Sequence, residues 1–280
     1  MYDENIMKLR EIFHSEKTRD LLAHNGLGSF ESLWKVDGRF IEEPNYGRGG
    51  RSGIILCEIR RADGQPLKIV IKRQENHAFR SLQHPLRGTP TFFREYKNIR
   101  RLEKRGIPAP EILFYGERMA YGNIQAVLAV RFLEGYRSLD DIFSDPGERN
   151  NQKLKEIIDS VATIVAQVHS SRLQHGCLYG KHIFIKVSEI GSPDVRLIDL
   201  EKMRLRLSRF SIAIHDLGAL FRRAKWPGDA WRLFLQSYLS KAGLKSKEKR
   251  LYKALGEKIE KKKVRRNPHE HKRGNKAHRP

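Results

Sequence analysis

The spacing of apolar residues changes along the chain and predicts helix first, then strands. Positions 1–35 have helical spacing, with a second segment broken by glycine. The stripe that supports a helix there is formed by Ile6, Leu9, Ile12 and Phe13. Residues 54–60 and 67–72 are β-branched runs, and Asp63-Gly64 between them is typical of a hairpin turn. The first quarter of the chain therefore predicts a helical segment followed by an antiparallel hairpin.

Beyond this hairpin, helices come to dominate. Residues 91–105 carry a helical apolar stripe, and strand-like runs follow at 112–116 and 124–133. A short capped helix is predicted from 138 to 143 and a long amphipathic one from 153 to 169. The order, strands with one helix and then helices with one hairpin, predicts an α+β protein without internal repeats.

Length and composition fit one large domain or two lobes rather than several modules. With 280 residues, of which 39% are hydrophobic, the chain can bury a sizeable core. We expect four segments. They are a helical extension at 1–37, a strand-rich N-lobe at 38–135, a mostly helical C-lobe at 136–240 and a basic tail at 241–280.

Charge is concentrated at the end of the chain. The formal net charge is +22, and residues 241–280 hold 16 Lys or Arg against 4 Asp or Glu, so about +12 lies there. With almost no apolar residue after Ile259, this tail predicts a solvated basic extension, disordered or partly helical. The charge indicates an anionic partner: nucleic acid, an acidic membrane surface or a phosphorylated substrate. No nucleic-acid-binding motif is present, which argues against the first.

The cysteines and apolar runs predict a protein of the reducing cytoplasm. Cys57 and Cys177 form neither a disulfide framework nor a CxxC metal motif. The acidic first residues do not fit a signal peptide, and the longest apolar run, 124–130, is too short to span a membrane. We expect any membrane contact to be peripheral.

The segment from His175 to Asp199 has the layout of a kinase catalytic loop: loop, short apolar strand, turn and second strand. The kinase pattern H-x-D-L-x-x-x-N carries the base on its aspartate and a magnesium ligand on its asparagine, and a second aspartate follows the next strand. Here Cys177 stands at the base position and His182 at the asparagine position. The segment therefore predicts a kinase-type catalytic loop, and it leaves open whether that loop carries a working base and metal ligand.

A candidate phosphate clamp precedes this segment. Lys72 ends the second predicted strand and Glu95 lies on the following helix, where an ion pair would hold the lysine toward phosphate oxygens. Taken singly, Lys72 also fits a solvated strand end, and Glu95 a surface partner of the neighbouring arginines. Their order along the chain, ahead of His175 and Asp199, favours the clamp.

Glycines before the first strand form a candidate phosphate loop. They are Gly47, Gly49, Gly50 and Gly53. Their spacing does not fit G-x-G-x-x-G, because the last interval is one residue too long. Such a loop would present backbone N–H groups and Arg48 or Arg51 to phosphates, and a flexible hairpin turn is the alternative.

The residues of the loop itself allow alternatives. Asp199 follows an apolar strand, where a cation such as magnesium would compensate its charge; it also fits a turn aspartate. His182 is a poor magnesium ligand and equally fits a core histidine. Cys177, a thiol mostly protonated at neutral pH, cannot replace a carboxylate base, and losing such a base costs on the order of 10² to 10⁴ in rate. A buried core thiol is its alternative role.

Taken together, the chain resembles the lipopolysaccharide core kinases, the Kdo and heptose kinases of Gram-negative bacteria, and among them the InaA-type members. The resemblance covers roughly 38–240. It is carried by EEPNYGRGGRSG (42–53), IVIKR (69–73), FREY (93–96), QHGCLYGKHIFIK (174–186), LIDLEKMRLRL (197–207) and HDL (215–217).

The resemblance implies a two-lobed protein-kinase-like fold that uses ATP and Mg²⁺ to phosphorylate a heptose or Kdo sugar of the inner core at the cytoplasmic face of the inner membrane. The residues it carries over are Lys72 and Glu95 as phosphate clamp, the four glycines as phosphate loop, Asp199 and His182 as metal ligands, and Cys177, His182, Asp199 and Lys181 as catalytic residues. Because Cys177 replaces aspartate, the second hypothesis is a pseudokinase that binds nucleotide without transferring phosphate.

Partners follow from the resemblance and the charge. Lys202, Arg204, Arg206 and Arg209 lie where an acceptor would be held, which fits lipopolysaccharide core or another anionic glycolipid; a solvated basic face is the alternative. The basic tail is expected to bind anionic lipid of the inner membrane. Asp216 corresponds to the buried acid that anchors the catalytic loop in this fold.

Overall fold

The chain divides into two compact units. The computed structural model describes residues 9–47, 50–76, 78–81, 84–120, 122–148, 152–188 and 191–260. The first unit comprises Met1–Gly135 and Ile198–Lys202, and the second comprises Tyr136–Leu197 and Met203–Pro280. The return of Ile198–Lys202 to the first unit differs from the expected C-lobe, which included these residues.

A six-stranded antiparallel sheet, in the order β1-β7-β8-β4-β3-β2, organises the first unit. Its strands are β1 Arg10–Phe13, β2 Arg39–Gly47, β3 Gly50–Arg60, β4 Pro66–Glu75, β7 Ile112–Ala120 and β8 Asn123–Arg131. A separate ribbon pairs β5 Ala78–Ser81 with β6 His84–Pro90. The β3–β4 hairpin is confirmed: Arg60 pairs with Pro66, and Gly64 has φ +79°, which a turn glycine tolerates.

Helices α1 Glu16–His24, α2 Phe30–Lys35 and α3 Thr91–Glu103 complete the first unit. Leu22, Phe30 and Leu33 are buried against sheet residues such as Ile69 and Phe114 in one apolar core. The helix predicted through 91–105 is therefore confirmed as α3.

The prediction of helix through 1–35, with a second segment broken by glycine, is wrong at Arg10–Phe13 and agrees with α1 and α2 beyond it. This segment is strand β1, paired antiparallel with β7 so that Phe13 lies opposite Phe114. The pairing partner lies a hundred residues further along the chain, so local spacing did not reveal it. Ile6 lies outside the described residues.

Five helices and two small sheets form the described part of the second unit. The helices are α4 Leu139–Ser144, α5 Gln152–Ser170, α6 Arg209–Arg223, α7 Ala230–Lys241 and α8 at 248–260. Strands β9 Arg137–Ser138, β11 Ile183–Lys186 and β12 Asp194–Leu197 form one sheet, and β10 Leu173–Gln174 pairs with β13 Arg204–Leu205 in the other. Helix α5 packs on α7, where Asp159 accepts hydrogen bonds from Ser237 and Lys241. The predicted helices at 138–143 and 153–169 are confirmed as α4 and α5.

The first part of the basic tail is helical and packed. Residues 248–260 form α8, as the prediction of a partly helical tail allowed, but Leu251 and Leu255 are buried, so this part is not solvated throughout. The two leucines are spaced i, i+4 and share one helix face, which supplies the apolar contact that a solvated tail lacks. Residues 261–280 lie outside the described residues. Within the described ranges, no helix has the length and apolarity needed to cross a bilayer.

Candidate active site

A buried ion pair joins β4 to α3 in the first unit. Lys72 Nζ lies 2.7 Å from Glu95 Oε1, and the side chains are only 16% and 6% exposed. Because both side chains are largely buried, Glu95 is not a surface partner of the neighbouring arginines, and Lys72 is not a solvated lysine at a strand end. Burial acts to lower the pKa of Lys72, but the negative charges of Glu95, Asp199 and Glu201 together raise it. Lys72 is therefore held as a cation and oriented by Glu95.

Asp199 lies beside this pair, at the start of the segment that returns to the first unit. Its backbone has φ +58°, an uncommon conformation for a residue other than glycine. Burial, with the charges of Glu95 and Glu201, raises the pKa of its carboxyl to about 6, against the opposing effects of Lys72 and Lys202. The nearby positive charges of Lys72 and Lys202 therefore do not fully offset the cost of ionising this carboxyl, and an added cation would stabilise its ionised form.

Asn98, which the sequence analysis missed, connects α3 to this segment. It lies one turn after Glu95, is 1% exposed, and its Nδ2 donates a 2.7 Å hydrogen bond to the carbonyl of Leu200. Arg101 in turn donates to Asn98 Oδ1 at 2.7 Å. An amide within the apolar stripe of α3 was the available signal, because a buried polar side chain needs a partner.

The first turn of α3 is fixed by β4 as well. Its N-cap residue, Pro90, makes no side-chain cap. Gln74, 1% exposed and two residues after Lys72, accepts hydrogen bonds from Phe92 N at 3.0 Å and Thr91 Oγ1 at 2.7 Å. Strand β4 therefore sets both the start of α3 and the position of Glu95.

The described glycines of the candidate phosphate loop lie at two different places in the β2–β3 hairpin. Gly47 and Gly50 face each other at the end of the β2–β3 hairpin, and Gly49 lies outside the described residues. Gly53 pairs with Arg73, on the sheet face opposite Lys72. A Cβ at Gly53 would approach the Phe40 ring to 2.9 Å, so close aromatic packing accounts for this glycine. The role of all four in phosphate binding stays a prediction.

A cavity of about 230 Å³ lies on that opposite face. Its lining includes Trp34, Phe40, Tyr46, Arg51 and Arg73. Successive residues of a strand point to opposite faces, so Arg73 and Lys72 serve different sides of the sheet. The cavity is therefore lined mainly from the face opposite Lys72, although Gln74, which contacts α3 on the Lys72 face, also lines it.

In the second unit, Asp216 organises the loop that follows β10. The carboxylate is fully buried and accepts hydrogen bonds from the backbone N–H of His175 at 2.6 Å and of Gly176 at 3.1 Å. His169 and His215 also contact it, at 3.3 and 2.9 Å. Burial acts to raise the pKa of Asp216, but the two histidines and these contacts hold it well below its usual range.

The same loop carries Cys177 and His182. Cys177 is 5% exposed, and its N–H hydrogen-bonds to His175 Nδ1 at 3.3 Å. His182, 8% exposed, donates from Nδ1 to the carbonyl of Cys177 at 2.8 Å, so a neutral ring carries its lone pair on Nε2. The structure thus places Cys177 and His182, which stand at the aspartate and asparagine positions of the kinase pattern, in contact with each other. This contact fixes the tautomer of His182.

Asp140, also unforeseen, supports the other end of this loop. The backbone N–H of Lys181 donates a hydrogen bond to the Asp140 carboxylate. Burial raises the pKa of Asp140 by more than this hydrogen bond lowers it. A Cβ added to Gly180 would lie 1.9 Å from Asp140 Oδ1, so any larger residue there would displace the Asp140 carboxylate. Lys181 itself is exposed. Asp140 and Asp216 therefore hold the loop from its two ends.

Within the described ranges, no group of three or more His, Cys, Asp or Glu residues is arranged to hold a metal ion. Magnesium in phosphoryl-transfer enzymes is held by one or two carboxylates plus phosphate oxygens. Asp199, whose ionised form lacks full compensation, fits such a ligand by its chemistry.

Comparison with known proteins agrees with this arrangement. The model of the lipopolysaccharide kinase (Kdo/WaaP) family matches residues 31–238. Protein InaA of Escherichia coli (strain K12) is 33% identical over 193 residues, which cover 68% of this chain and 86% of that protein. The solved structure of WaaP in complex with acyl carrier protein matches with a TM-score of 0.63 and 22% identity over 90% of this chain and 98% of that one, which shows the two-lobed kinase-like fold. The chain belongs to the lipopolysaccharide kinase (Kdo/WaaP) family.

Proposed function

We propose that the protein is an ATP-dependent kinase that phosphorylates a heptose or Kdo sugar of the lipopolysaccharide inner core. The observation that carries the proposal is the buried Lys72–Glu95 pair beside Asp199. A buried lysine with a raised pKa, next to a carboxylate that lacks a full counter-charge, is suited to one anionic phosphate and one cation.

Each residue has a defined task in this proposal. Lys72 binds phosphate oxygens through Nζ, and Glu95 keeps that ammonium group oriented. Asp199 holds the divalent cation through its carboxylate, while backbone N–H groups of the β2–β3 turn are candidates for contacts to phosphate. Bound ATP and Mg²⁺ supply the phosphoryl group and neutralise its charge.

Removal of the acceptor's proton is the step in which this site differs from the usual kinase site, because a thiol replaces the carboxylate. Cys177 is buried, and a protonated thiol cannot accept a proton as a carboxylate does. His182 is the neighbouring proton acceptor, since Nε2 carries the lone pair of the neutral ring. Imidazole is better suited to accepting a proton than to binding magnesium.

The acceptor in this proposal is anionic, and the reaction takes place at the cytoplasmic face of the inner membrane. Basic residues at 202–209 and at 261–280 fit lipopolysaccharide core or another anionic glycolipid. Attraction of the tail to anionic lipid headgroups would keep the enzyme peripherally bound.

Transfer is tested with purified protein, magnesium, ATP and dephosphorylated core oligosaccharide, with phosphate incorporation read by mass spectrometry. Lys72→Met should abolish incorporation. Lys68→Met is a matched control, because Lys68 lies on the same strand and pairs with Glu134 at the same 2.7 Å, but both side chains are exposed. Equal loss in both variants would contradict the role assigned to Lys72.

The second candidate is a pseudokinase, and Cys177 at the base position favours it. Absence of phosphate incorporation, together with a nucleotide-dependent thermal shift that Asp199→Ala removes, would establish nucleotide binding without transfer. Cys177→Asp then tests the base directly. We expect it to raise transfer by at least tenfold if the thiol is a substituted base. Unchanged or lower transfer would assign Cys177 to packing.

A further inference from the structure

A short ribbon on the second unit combines exposed arginines with exposed leucines. It consists of residues 172–174 and 204–209 and is called the arginine ribbon below. Strands β10 and β13 pair within it, Leu173 opposite Leu205. The N–H of Arg206 donates to the carbonyl of Arg172 at 2.9 Å, and the Arg172 guanidinium donates to the carbonyl of Leu207. The ribbon is thus a hydrogen-bonded structure whose backbone positions its side chains.

The ribbon's positive charge is not balanced by acids. It carries Arg172, Arg204, Arg206 and Arg209, all exposed, and contains no Asp or Glu. Among the described residues, none of these four forms an ion pair with a carboxylate. Two of them donate to neutral groups instead: Arg172 to the carbonyl of Leu207, and Arg206 Nε to Gln174 Oε1 at 3.2 Å. Elsewhere the exposed arginines Arg19 and Arg232 pair with Glu16 and Asp229. The ribbon therefore presents cations available to an external anion.

Leucines alternate with these arginines. Leu205 is 56% exposed and Leu207 is 89% exposed. A short way along the surface, Arg250 of α8 lies over the Phe210 ring at 4.9 Å and adds another basic residue. Leucine side chains left in water beside unpaired arginines mark a surface that an amphiphile would cover.

We propose that the arginine ribbon docks the protein onto a membrane surface that contains anionic lipid. Headgroup phosphates would pair with the arginines, and the two leucines would enter the boundary between headgroups and acyl chains. A soluble phosphate would account for the arginines but not for the leucines, and the same is true of nucleic acid. The ribbon includes Arg204, Arg206 and Arg209, which are proposed above to hold an anionic glycolipid acceptor, and docking would bring them to the surface where such a glycolipid lies. The ribbon is separate in sequence from the basic residues at 261–280, and docking requires no phosphotransfer.

Co-sedimentation of the full chain with vesicles tests the proposal. The vesicles are phosphatidylcholine mixed with phosphatidylglycerol, and phosphatidylcholine alone is the reference. Each basic residue near an anionic surface contributes about fivefold to partitioning, so we expect the double substitution Arg204→Gln with Arg206→Gln to weaken binding to the mixed vesicles by about 25-fold. Leu205→Ser with Leu207→Ser should weaken it by about tenfold, with little change in the salt dependence.

Matched variants separate this effect from overall charge. Arg19→Gln with Arg232→Gln removes the same two charges from exposed, ion-paired sites, and Leu9→Ser changes a leucine of similar exposure, 51%. These controls should retain binding within about twofold. Circular dichroism and thermal unfolding of every variant must match the parent for the comparison to count.

Three results would overturn the proposal. The first is equal loss in ribbon and control variants, which would indicate non-specific charge. The second is unchanged vesicle binding in both ribbon variants, with binding lost only on deletion of 261–280. The third is full displacement of the protein from the vesicles by a low concentration of inorganic phosphate, when added salt of equal ionic strength does not displace it. Together with unchanged binding of the leucine variant, this would indicate that the ribbon binds a soluble anion. Failure of the sugar-kinase assay would leave the vesicle result unchanged.

Discussion

Replacing Asp199 by asparagine should stabilise the free protein while abolishing its response to nucleotide. Asparagine keeps the size of the side chain and tolerates the φ of +58° at this position. The native carboxyl has its pKa raised from 3.8 to about 6. A difference of about 2 pH units corresponds to about 3 kcal/mol, and because solvent screens this partly exposed group we expect about 1–2 kcal/mol.

The pH dependence gives the sign of this effect. Below about pH 4 the carboxyl is protonated in both folded and unfolded chains, so parent and variant should have similar free energies of unfolding. Between about pH 4 and 6 the unfolded chain ionises and the folded chain does not, so the parent loses stability as the pH rises. The advantage of the variant should therefore grow over this window and stay constant above it.

Urea denaturation from pH 4 to 8, with and without magnesium and ATP, measures both effects. At a hundredfold excess over its dissociation constant, a ligand stabilises the folded state by about 2.7 kcal/mol, and only the parent should show this gain. A variant that is less stable than the parent at pH 7, or an advantage that does not shrink toward pH 4, would refute the electrostatic reasoning. A nucleotide response retained by the variant would refute the ligand role.

Three further substitutions test the supports of the site. Asn98→Ala should lower the free energy of unfolding by about 1–3 kcal/mol, because it leaves the Leu200 carbonyl unsatisfied, and should reduce the nucleotide-dependent thermal shift. Gly180→Ala should destabilise by about 2 kcal/mol through the clash with Asp140, and a double-mutant cycle with Asp140→Ala should recover most of that loss. Asp216→Asn should destabilise the protein by about 3 kcal/mol at pH 7. Since the pKa of Asp216 is lowered on folding, that difference in the free energy of unfolding should shrink as the pH falls below about 4. Equal differences at pH 3 and 7 would contradict the charge assignment.

Much of the first unit could be predicted because its signals are local. The β3–β4 hairpin is specified by two β-branched runs around Asp63-Gly64, and α3 by a stripe of apolar residues. Strand β1 could not be predicted in this way, because its partner β7 is distant in sequence and its few apolar residues also fit a helix. Likewise, the lysines and arginines around Leu251 and Leu255 concealed the packed face of α8.

The ion pair, the loop and the acid that anchors it, Asp216, were predicted from the sequence, but the other supports of the candidate site were not. Lys72, Glu95 and Asp199 follow a recognisable order, whereas Asn98 and Asp140 act through tertiary contacts that no local spacing encodes. Burial decides what the sequence left open: at 4% exposure, Glu95 cannot be a surface residue.

Helix α3 carries two contacts of the site on one rigid element. Glu95 holds Lys72 of β4, and Asn98, one turn later, holds the backbone of Leu200 next to Asp199. Because a helix moves as a unit, a shift of α3 makes or breaks both contacts at once. The ammonium and the carboxylate are therefore assembled together or not at all. Any ligand whose affinity differs between two positions of α3 would make or break both contacts together.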